Sequence, residues 1–193
     1  MAGPWTTNAK LREANSNTDV YKVLVTDAID VIDADVSFRR DKPEYGGLPL
    51  EIFHLCSRLT PLLNIDLLIK DENNRTLLAW RDDEFAGEGW HLPGGIVRFK
   101  ETLKDRVRQV VEIEIDAPVE VDLIPIAHHE VILSHNTRGH AYSVLYKGSL
   151  KAEQLSQSWY QRNLRPTQVG YLEWHASCPN SLIDVHEMYR KYI

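Results

Sequence analysis

Residues 93–95, Pro-Gly-Gly, constrain the fold of this chain most, because they lead into the pattern of an amphipathic helix. Two successive glycines let a backbone turn sharply or approach another group closely. The apolar residues that then share one helical face are Leu103, Val107, Val110 and Val111. We therefore expect a helix over 102–114 that begins at Thr102, a residue type that often caps helices. Glu114 falls on the same face, where a carboxylate needs a hydrogen bond, an opposite charge or a metal ion.

On both sides of this helix the apolar pattern is that of β-strands. The expected strands span 63–70, 76–81, 119–133, 140–150 and 168–174, with turns at 71–74 and 135–139. Pro125 interrupts the third strand, so we expect a bend or bulge there. Residues 87–95 and 154–167 are expected to form loops, and 181–192 a closing helix. Strands mixed with helices predict an α/β fold, with a mixed sheet sandwiched between helices.

Residues 1–60 have no strand pattern and are expected to form an N-terminal helical extension. Helical spacing occurs over 18–32, a linker composition over 33–48, and a second short helix is expected from Pro49 until Pro61 stops it. The main domain is then 61–193. The apolar faces of the N-terminal helices are expected either to cover a sheet edge or to form the contact of a homodimer, and a homodimer is the expected assembly.

Composition and charge exclude several classes of protein. The chain has 193 residues and a formal net charge of −6, which argues against a partner that is a nucleic acid polymer. Cys56 and Cys178 are far apart, so neither a disulfide framework nor a cysteine zinc site is indicated. Residues 1–10 lack the apolar region of a signal peptide, and the longest apolar stretch, 59–69, is too short and polar to span a bilayer. We expect a cytoplasmic protein without a membrane partner.

The segment 95–117 resembles the signature of Nudix hydrolases, G-x5-E-x7-R-E-U-x-E-E-x-G-U. Gly95 and Glu101 match its first glycine and first glutamate. The departures are Gln109 in place of the arginine, Val110 and Ile113 in place of two glutamates, and Asp116 in place of the last glycine. Of the later glutamates, which usually bind the catalytic metals of these enzymes, Glu114 alone remains.

The GDP-mannose mannosyl hydrolase branch of that superfamily has a similarly reduced signature, which keeps the first glycine and the first and last glutamates. The resemblance includes residues 90–95 and covers roughly 61–175. It implies the Nudix fold and a metal-dependent hydrolase of a nucleoside-diphosphate sugar resembling GDP-mannose. In that branch water attacks the sugar carbon, and a nucleoside diphosphate and a free sugar are released.

Carried over position by position, the resemblance implies one Mg²⁺, or Mn²⁺ in its place, held by the Gly94 carbonyl, Glu114 and Gln168. Oxygen ligands of this kind suit Mg²⁺. The ion would stabilise charge on the departing nucleoside diphosphate. Asp66 matches the aspartate on the sugar side of the family's site, and Arg81 matches an arginine on the phosphate side.

Two further residues of the family are replaced in this chain. Ile96 stands where an arginine directly follows the two glycines, and Arg98 is the candidate to replace that cation. The family's general-base histidine aligns with Val169. The candidate bases, which are histidines because their pKa suits proton transfer near neutrality, are His128 and His140. Since adjacent strand residues point to opposite faces, at most one of His128 and His129 is expected to face the site.

Three functions stay open at this point. The first is the nucleotide-sugar hydrolase. The second is a Nudix pyrophosphohydrolase that cleaves at phosphorus with acids from outside the helix, such as Glu84, Glu88, Glu130 and Glu173. The third is a non-catalytic module that binds a nucleotide sugar, which Val169 favours.

Overall fold

The computed structural model describes residues 50–133 and 138–193, together with residues 26, 27, 29 and 30, which are helical. The chain divides into two units, Met1–Cys56 and Ser57–Ile193, and the fold below is that of the second. The expected helix over 18–32 falls almost wholly outside the described residues, as do the linker and most of the turn at 135–139. The expected short helix is confirmed as α1, Leu50–Leu59. The domain boundary at residue 60 stays a prediction.

A mixed sheet organises the second unit. Its strands among the described residues are β1 (Leu62–Lys70), β2 (Thr76–Asp83), β3 (Gly87–His91), β4 (Gly94–Ile96), β5 (Glu120–Ile132), β6 (His140–Ser149) and β7 (Leu172–His175). The order is β3-β2-β1-β6-β5, with β4 paired to β1 and β7 to β2. β1 and β6 run parallel, and the other pairs run antiparallel. The expected bulge in β5 is confirmed, because the register shifts on both sides of Pro125.

β1 pairs with β4 near its start and with β2 at its end, and this change of partner determines the position of Gly94 and Gly95. Lys70 of β1 pairs with Thr76 of β2. Further back along β1, the partners Asn64, Ile65 and Asp66 lie opposite Ile96, Gly95 and Gly94. β4 therefore lies beside the first half of β1, and Asp66 lies directly opposite Gly94.

Helix α2, Leu103–Val110, begins where the sequence predicts. The Thr102 side-chain oxygen accepts a hydrogen bond from the Asp105 N–H at 3.1 Å, which caps the first turn. After Val110 the helix continues as one wider π-type turn, Val111–Ile115. It ends at Asp116, whose φ of 51° is left-handed. Glycine adopts that conformation without strain, which explains why the Nudix signature has a glycine at this position.

Apolar side chains fill both faces of the sheet. The face under α2 buries Ile65, Leu67, Ile69, Leu77, Val107, Val110 and Ile115. The opposite face buries Leu68, Leu78, Trp80, Trp90, Leu92, Leu145 and Tyr189. Tyr189 belongs to a 3₁₀ helix, Asp184–Tyr189, so a C-terminal segment covers the second face. The predicted mixed sheet between helical layers is confirmed.

The loop predicted over residues 87–95 is wrong, because β3 and part of β4 lie there. Trp90 pairs with Trp80 across β3 and β2, and their rings meet edge to face at 5.1 Å. This aromatic pairing outweighs the weak strand propensity of Gly87 and Gly89.

Two other local predictions also fail. Residues 154–167, predicted as a loop, contain most of a 3₁₀ helix, Ala152–Gln157, and all of α3, Trp159–Asn163. The Trp159 N–H donates to Asp116 at 3.0 Å, a long-range contact that the local sequence does not reveal. The closing helix predicted over 181–192 is only the 3₁₀ helix named above, and β7 begins four residues later than predicted. No helix in the described ranges is long and apolar enough to cross a membrane.

Candidate functional site

The contact between Gly94 and Glu114 forms the centre of the candidate site. The Gly94 N–H donates a hydrogen bond to Glu114 Oε2 at 3.1 Å. The pairing of β4 with β1 fixes the glycine, and the wide turn after α2 carries the carboxylate to it. Two of the three predicted metal-binding residues therefore lie in direct contact.

The environment of Glu114 is short of positive charge. Burial raises the pKa of its carboxyl to about 7, although the Gly94 N–H and the charges of Arg81 and Arg106 oppose that rise. The Asp66 carboxylate raises the pKa of Glu114 further. A divalent cation would supply the missing charge, and the oxygen of a buried carboxylate is a donor suited to Mg²⁺. The residues present therefore fit such an ion.

Asp66 lies on the other side of Gly94. A Cβ atom added at Gly94 would lie 2.3 Å from Asp66 Oδ1, so only glycine fits there. Asp66 is 5% exposed, and burial raises the pKa of its carboxyl. Its Oδ2 accepts a hydrogen bond from the Tyr189 hydroxyl at 2.6 Å, and its Oδ1 lies 3.7 Å from His186 Nε2. The carboxylate is thus nearly enclosed.

Arg81, near the end of β2, contributes positive charge to both carboxylates. Its Nε donates to Asp83, and its side chain is partly exposed. Its charge lowers the pKa of both Asp66 and Glu114, which places the guanidinium within electrostatic range of both carboxylates. Four predicted residues, Asp66, Arg81, Gly94 and Glu114, are therefore brought together, and we call them the candidate site.

Arg106 makes an ion pair that the sequence pattern does not single out. Its Nε and Nη2 donate to Glu101 Oε2 at 2.9 and 2.7 Å. The same oxygen accepts the Arg98 N–H at 2.9 Å. Gln109, at the arginine position of the signature, donates to Glu112 instead. Arg106 lies one helical turn before Gln109, and that spacing is the sequence signal that could have revealed the ion pair.

Gln168 and Arg98 are not joined to the candidate site by any hydrogen bond or ion pair among the described residues. Gln168 is exposed, and its Oε1 accepts the Arg165 N–H at 2.7 Å in a turn before β7. The Arg98 side chain is exposed in the segment before α2. Val169, which aligns with the family's base, is 63% exposed.

The candidate base histidines lie on β5 and β6. His128 is exposed and stacks on Tyr142, with ring centroids 5.9 Å apart. His140 Nε2 lies 3.5 Å from Glu130 Oε1. His129 points the other way, and its ring centroid lies 5.2 Å from that of Tyr189. Of the adjacent pair, His129 is therefore the histidine on the side of Asp66.

Two further histidines, His91 and His186, lie beside the candidate site. His91 Nδ1 donates to the Leu92 carbonyl at 2.7 Å. The Leu92 N–H donates to His186 Nδ1 at 3.0 Å. Burial lowers the pKa of each imidazole to about 3, so both are neutral near pH 7. His186 is 94 residues from Leu92, which is why no local pattern predicts the contact.

Comparison with known proteins gives one curated relative and several solved structures. No protein-family model matches the chain. The chain is similar to the low-salt glycan biosynthesis protein Agl8 of Haloferax volcanii, with 33% identity over 89 residues. The aligned part makes up 46% of this chain and 56% of that relative, so the chain spans little more than half of the relative's length.

Among solved structures, the chain is similar to a MutT Nudix hydrolase from Burkholderia pseudomallei. The identity is 20%, the match covers 69% of this chain and 98% of that chain, and the TM-score is 0.50. A MutT protein from Methanosarcina mazei Go1 is 21% identical over 60% of this chain and 78% of its own, with a TM-score of 0.43. The chain has a mixed sheet, the Pro-Gly-Gly residues 93–95, which we call the glycine segment, and a helix after them. Together with the likeness to the Burkholderia structure, these features show that the chain has the Nudix fold.

Proposed function

We propose that this chain is a metal-dependent hydrolase of a nucleoside-diphosphate sugar of the GDP-mannose kind. Water attacks the sugar carbon, the bond from that carbon to the diphosphate oxygen breaks, and nucleoside diphosphate and sugar are released. The observation that carries this proposal is the Gly94–Glu114 contact, in which the carboxylate of the π-type turn after α2 accepts the Gly94 N–H at 3.1 Å. A site with one helix carboxylate suits a single ion.

Glu114 and the Gly94 carbonyl would hold Mg²⁺ or Mn²⁺, with Gln168 as a third ligand. When bound, the ion supplies Lewis-acid stabilisation of the charge on the departing diphosphate. Gln168 would first have to release the Arg165 N–H that its side-chain oxygen now accepts. The Gly94–Glu114 contact supports this ligand set, and Gln168 would complete it on binding of the ion.

Arg81 is proposed to bind the diphosphate. Its Nε is used by Asp83, and its other N–H groups remain to donate to phosphate oxygens. Arg98, exposed before α2, is proposed as a second phosphate contact. Asp66 is proposed on the sugar side. Because it is 5% exposed, a sugar hydroxyl would meet only the edge of its carboxylate.

The proton acceptor for the attacking water is proposed to be His128 or His140. A positioned base contributes about 10²–10⁴-fold to a hydrolysis rate. His140 has Glu130 at 3.5 Å, a carboxylate that would stabilise the imidazolium formed on proton transfer. The expected homodimer and cytoplasmic location stay predictions.

The name of the Haloferax relative supports a sugar-containing substrate. That protein is described as acting in glycan biosynthesis, and glycans are built from activated sugars. A nucleotide sugar contains both an activated sugar and the diphosphate group that Arg81 and a divalent ion would bind.

The pyrophosphohydrolase is the second candidate, and it has less support. Cleavage at phosphorus in that class relies on two or more metals. The described residues contain no group of three His, Cys, Asp or Glu side chains that could hold an ion. At two glutamate positions of the helix, Val110 is buried and Ile113 is 56% exposed. The third candidate, a binding module, is favoured by the exposed Val169 alone.

Phosphorus NMR in H₂¹⁸O tests the proposal and separates the three functions. The protein is incubated with Mg²⁺ and a panel of GDP-, UDP- and ADP-sugars. Attack at carbon yields nucleoside diphosphate with an unshifted ³¹P signal and puts ¹⁸O into the sugar. Attack at phosphorus yields nucleoside monophosphate and sugar phosphate, one of them isotope-shifted, and contradicts the proposal.

Matched variants of the same helical turn show whether the candidate site is responsible. Glu114→Gln removes the proposed ligand and should abolish turnover. Glu112→Gln changes an exposed carboxylate that accepts a hydrogen bond from Gln109, and it should leave turnover as it is. Binding of a nucleotide sugar without any product would contradict the enzyme and support the binding module.

A further inference from the structure

The C-terminal 3₁₀ helix, Asp184–Tyr189, makes two hydrogen bonds beside the glycine segment, one to Leu92 and one to Asp66 of β1. His186 Nδ1 accepts the Leu92 N–H at 3.0 Å, just before Pro93. The Tyr189 hydroxyl donates to Asp66 Oδ2 at 2.6 Å. His186 is 7% exposed and Tyr189 is fully buried, so neither hydrogen bond competes with bulk water.

Both hydrogen bonds converge on Gly94. Asp66 lies opposite Gly94 in the β1–β4 pairing, and its Oδ1 occupies the space of the missing Cβ. Leu92 precedes Gly94 by two residues, with the rigid ring of Pro93 between them. The position of the Gly94 backbone therefore depends on Tyr189 through Asp66 and on His186 through Leu92.

The C-terminal segment is itself firmly attached to the sheet. The Trp90 N–H donates to the Ser181 carbonyl at 2.8 Å, and the Ile183 N–H donates to the Trp90 carbonyl at 3.0 Å. These bonds form an isolated parallel bridge between Leu182 and Trp90 of β3. His186 and Tyr189 thus project from a fixed backbone.

We propose that Tyr189 and His186 are positioning residues of the candidate site. They hold the Gly94 backbone, through Asp66 and Leu92, in the place where its N–H meets Glu114. The inference rests on the proposed function, since it concerns the same metal-binding pair. Neither residue is proposed to touch the substrate. Nothing in the sequence pattern links residues 184–189 to the site.

Tyr189→Phe is the sharpest test, because it removes the hydroxyl and keeps the ring in the core. Removal of a group that orients a metal ligand typically lowers metal affinity about 10–100-fold. We expect Mn²⁺ affinity, measured by electron paramagnetic resonance on the full chain, to fall about 10-fold or more. The matched control is Tyr192→Phe, three residues on, which should bind Mn²⁺ like the wild type.

His186 is tested by a pair of variants. His186→Asn places an amide oxygen near the position of Nδ1, so it can still accept the Leu92 N–H. His186→Leu has no acceptor. We expect the leucine variant to bind Mn²⁺ about 10-fold more weakly and the asparagine variant to recover most of that loss. Thermal unfolding is recorded for each variant, and Tyr189→Phe keeps the test decisive if the leucine variant fails to fold.

The possible outcomes distinguish a failure of the positioning role from a failure of the proposed function. If the wild type binds Mn²⁺, Glu114→Gln does not, and Tyr189→Phe binds like the wild type, the positioning role is overturned and the proposed function stands. Equal affinities of the two His186 variants also overturn the role of His186. A wild type that binds no Mn²⁺ overturns the proposed function, and this inference with it.

Discussion

Arg106 and Glu101 form a two-pronged ion pair, 2.7 Å at its shorter contact, between the first turn of α2 and the segment before it. The pair ties the start of the helix to the backbone of Arg98, because Glu101 also accepts the Arg98 N–H. The position at which the Nudix signature has an arginine holds Gln109, and the ion pair with Glu101 is made by Arg106, three residues earlier on α2.

We predict that Arg106→Gln destabilises the fold by about 3 kcal/mol, because removing one partner of a buried ion pair leaves the other uncompensated. The two side chains are only 10% and 14% exposed. Arg108→Gln, which breaks a pair with 60% and 42% exposed side chains, should cost less than about 1 kcal/mol. Urea unfolding of both variants measures the difference, and equal losses would contradict it.

A second prediction concerns the two adjacent glycines. Gly94→Ala would bring a Cβ to 2.3 Å from Asp66 Oδ1 and 2.6 Å from the Ile65 carbonyl, so β1 and β4 must move apart. We expect a loss of about 1–3 kcal/mol of unfolding free energy. Gly95→Ala would meet side-chain atoms of Arg106 and Val110 at 3.3 Å, which can shift, and should cost less. A Gly95→Ala variant less stable than Gly94→Ala would refute this account.

The third prediction follows from the raised pKa of Glu114. Burial raises it from 4.5 to about 7, so between these pH values the folded protein keeps a proton that the unfolded chain has released. The stability associated with this group is therefore present at low pH and is lost as the pH rises through that window. In EDTA, the stability of the wild type relative to Glu114→Gln should fall by on the order of 2 kcal/mol from pH 4.5 to 8.

The comparison with Glu114→Gln isolates this effect from the buried histidines. His91 and His186 have lowered pKa values, so they act in the opposite direction and destabilise the fold as the pH falls. Both variants retain them, and their contribution cancels. A stability difference that does not change with pH would show that Glu114 is ionised with an ordinary pKa.

Asp116 gives a fourth prediction, at the end of the π-type turn. Its φ of 51° is costly for most residues, and its side chain accepts the Trp159 N–H at 3.0 Å. Asp116→Ala should cost about 1–2 kcal/mol, since it loses the hydrogen bond and keeps the left-handed backbone. Asp116→Asn, which tolerates that backbone and retains an acceptor, should remain within about 0.5 kcal/mol of the wild type. Thermal unfolding distinguishes the two.

A strand or helix of this fold is predictable from the sequence when the residue pattern that specifies it lies within the segment itself. β1 and α2 were predictable, because the alternation of apolar residues and their helical spacing are properties of each segment alone. β3 was not, because Gly87 and Gly89 have weak strand propensity and the strand exists through its pairing with β2.

The same distinction between local and long-range signals applies to the residues of the candidate site. The resemblance to the Nudix hydrolases assigns Gly94 and Glu114 to one metal site, and the structure places these two residues, 20 positions apart, in hydrogen-bond contact. Tyr189 contacts Asp66 across 123 residues of sequence, and no motif connects them. A single sequence cannot reveal such contacts, because they are made only when the C-terminal segment packs on the finished sheet.

Because of the π-type turn at Val111–Ile115, the position of the Glu114 carboxylate depends on the number of residues in the helix as well as on their identity. The turn closes with a hydrogen bond from the Asp116 N–H to the Val111 carbonyl, five residues back, at 2.9 Å. One residue deleted here would restore the ordinary helical repeat and rotate the carboxylate about 100° around the axis, away from Gly94. A substitution at a position such as Gln109 would therefore leave Gly94 and Glu114 together, whereas an insertion or deletion in this stretch would separate them.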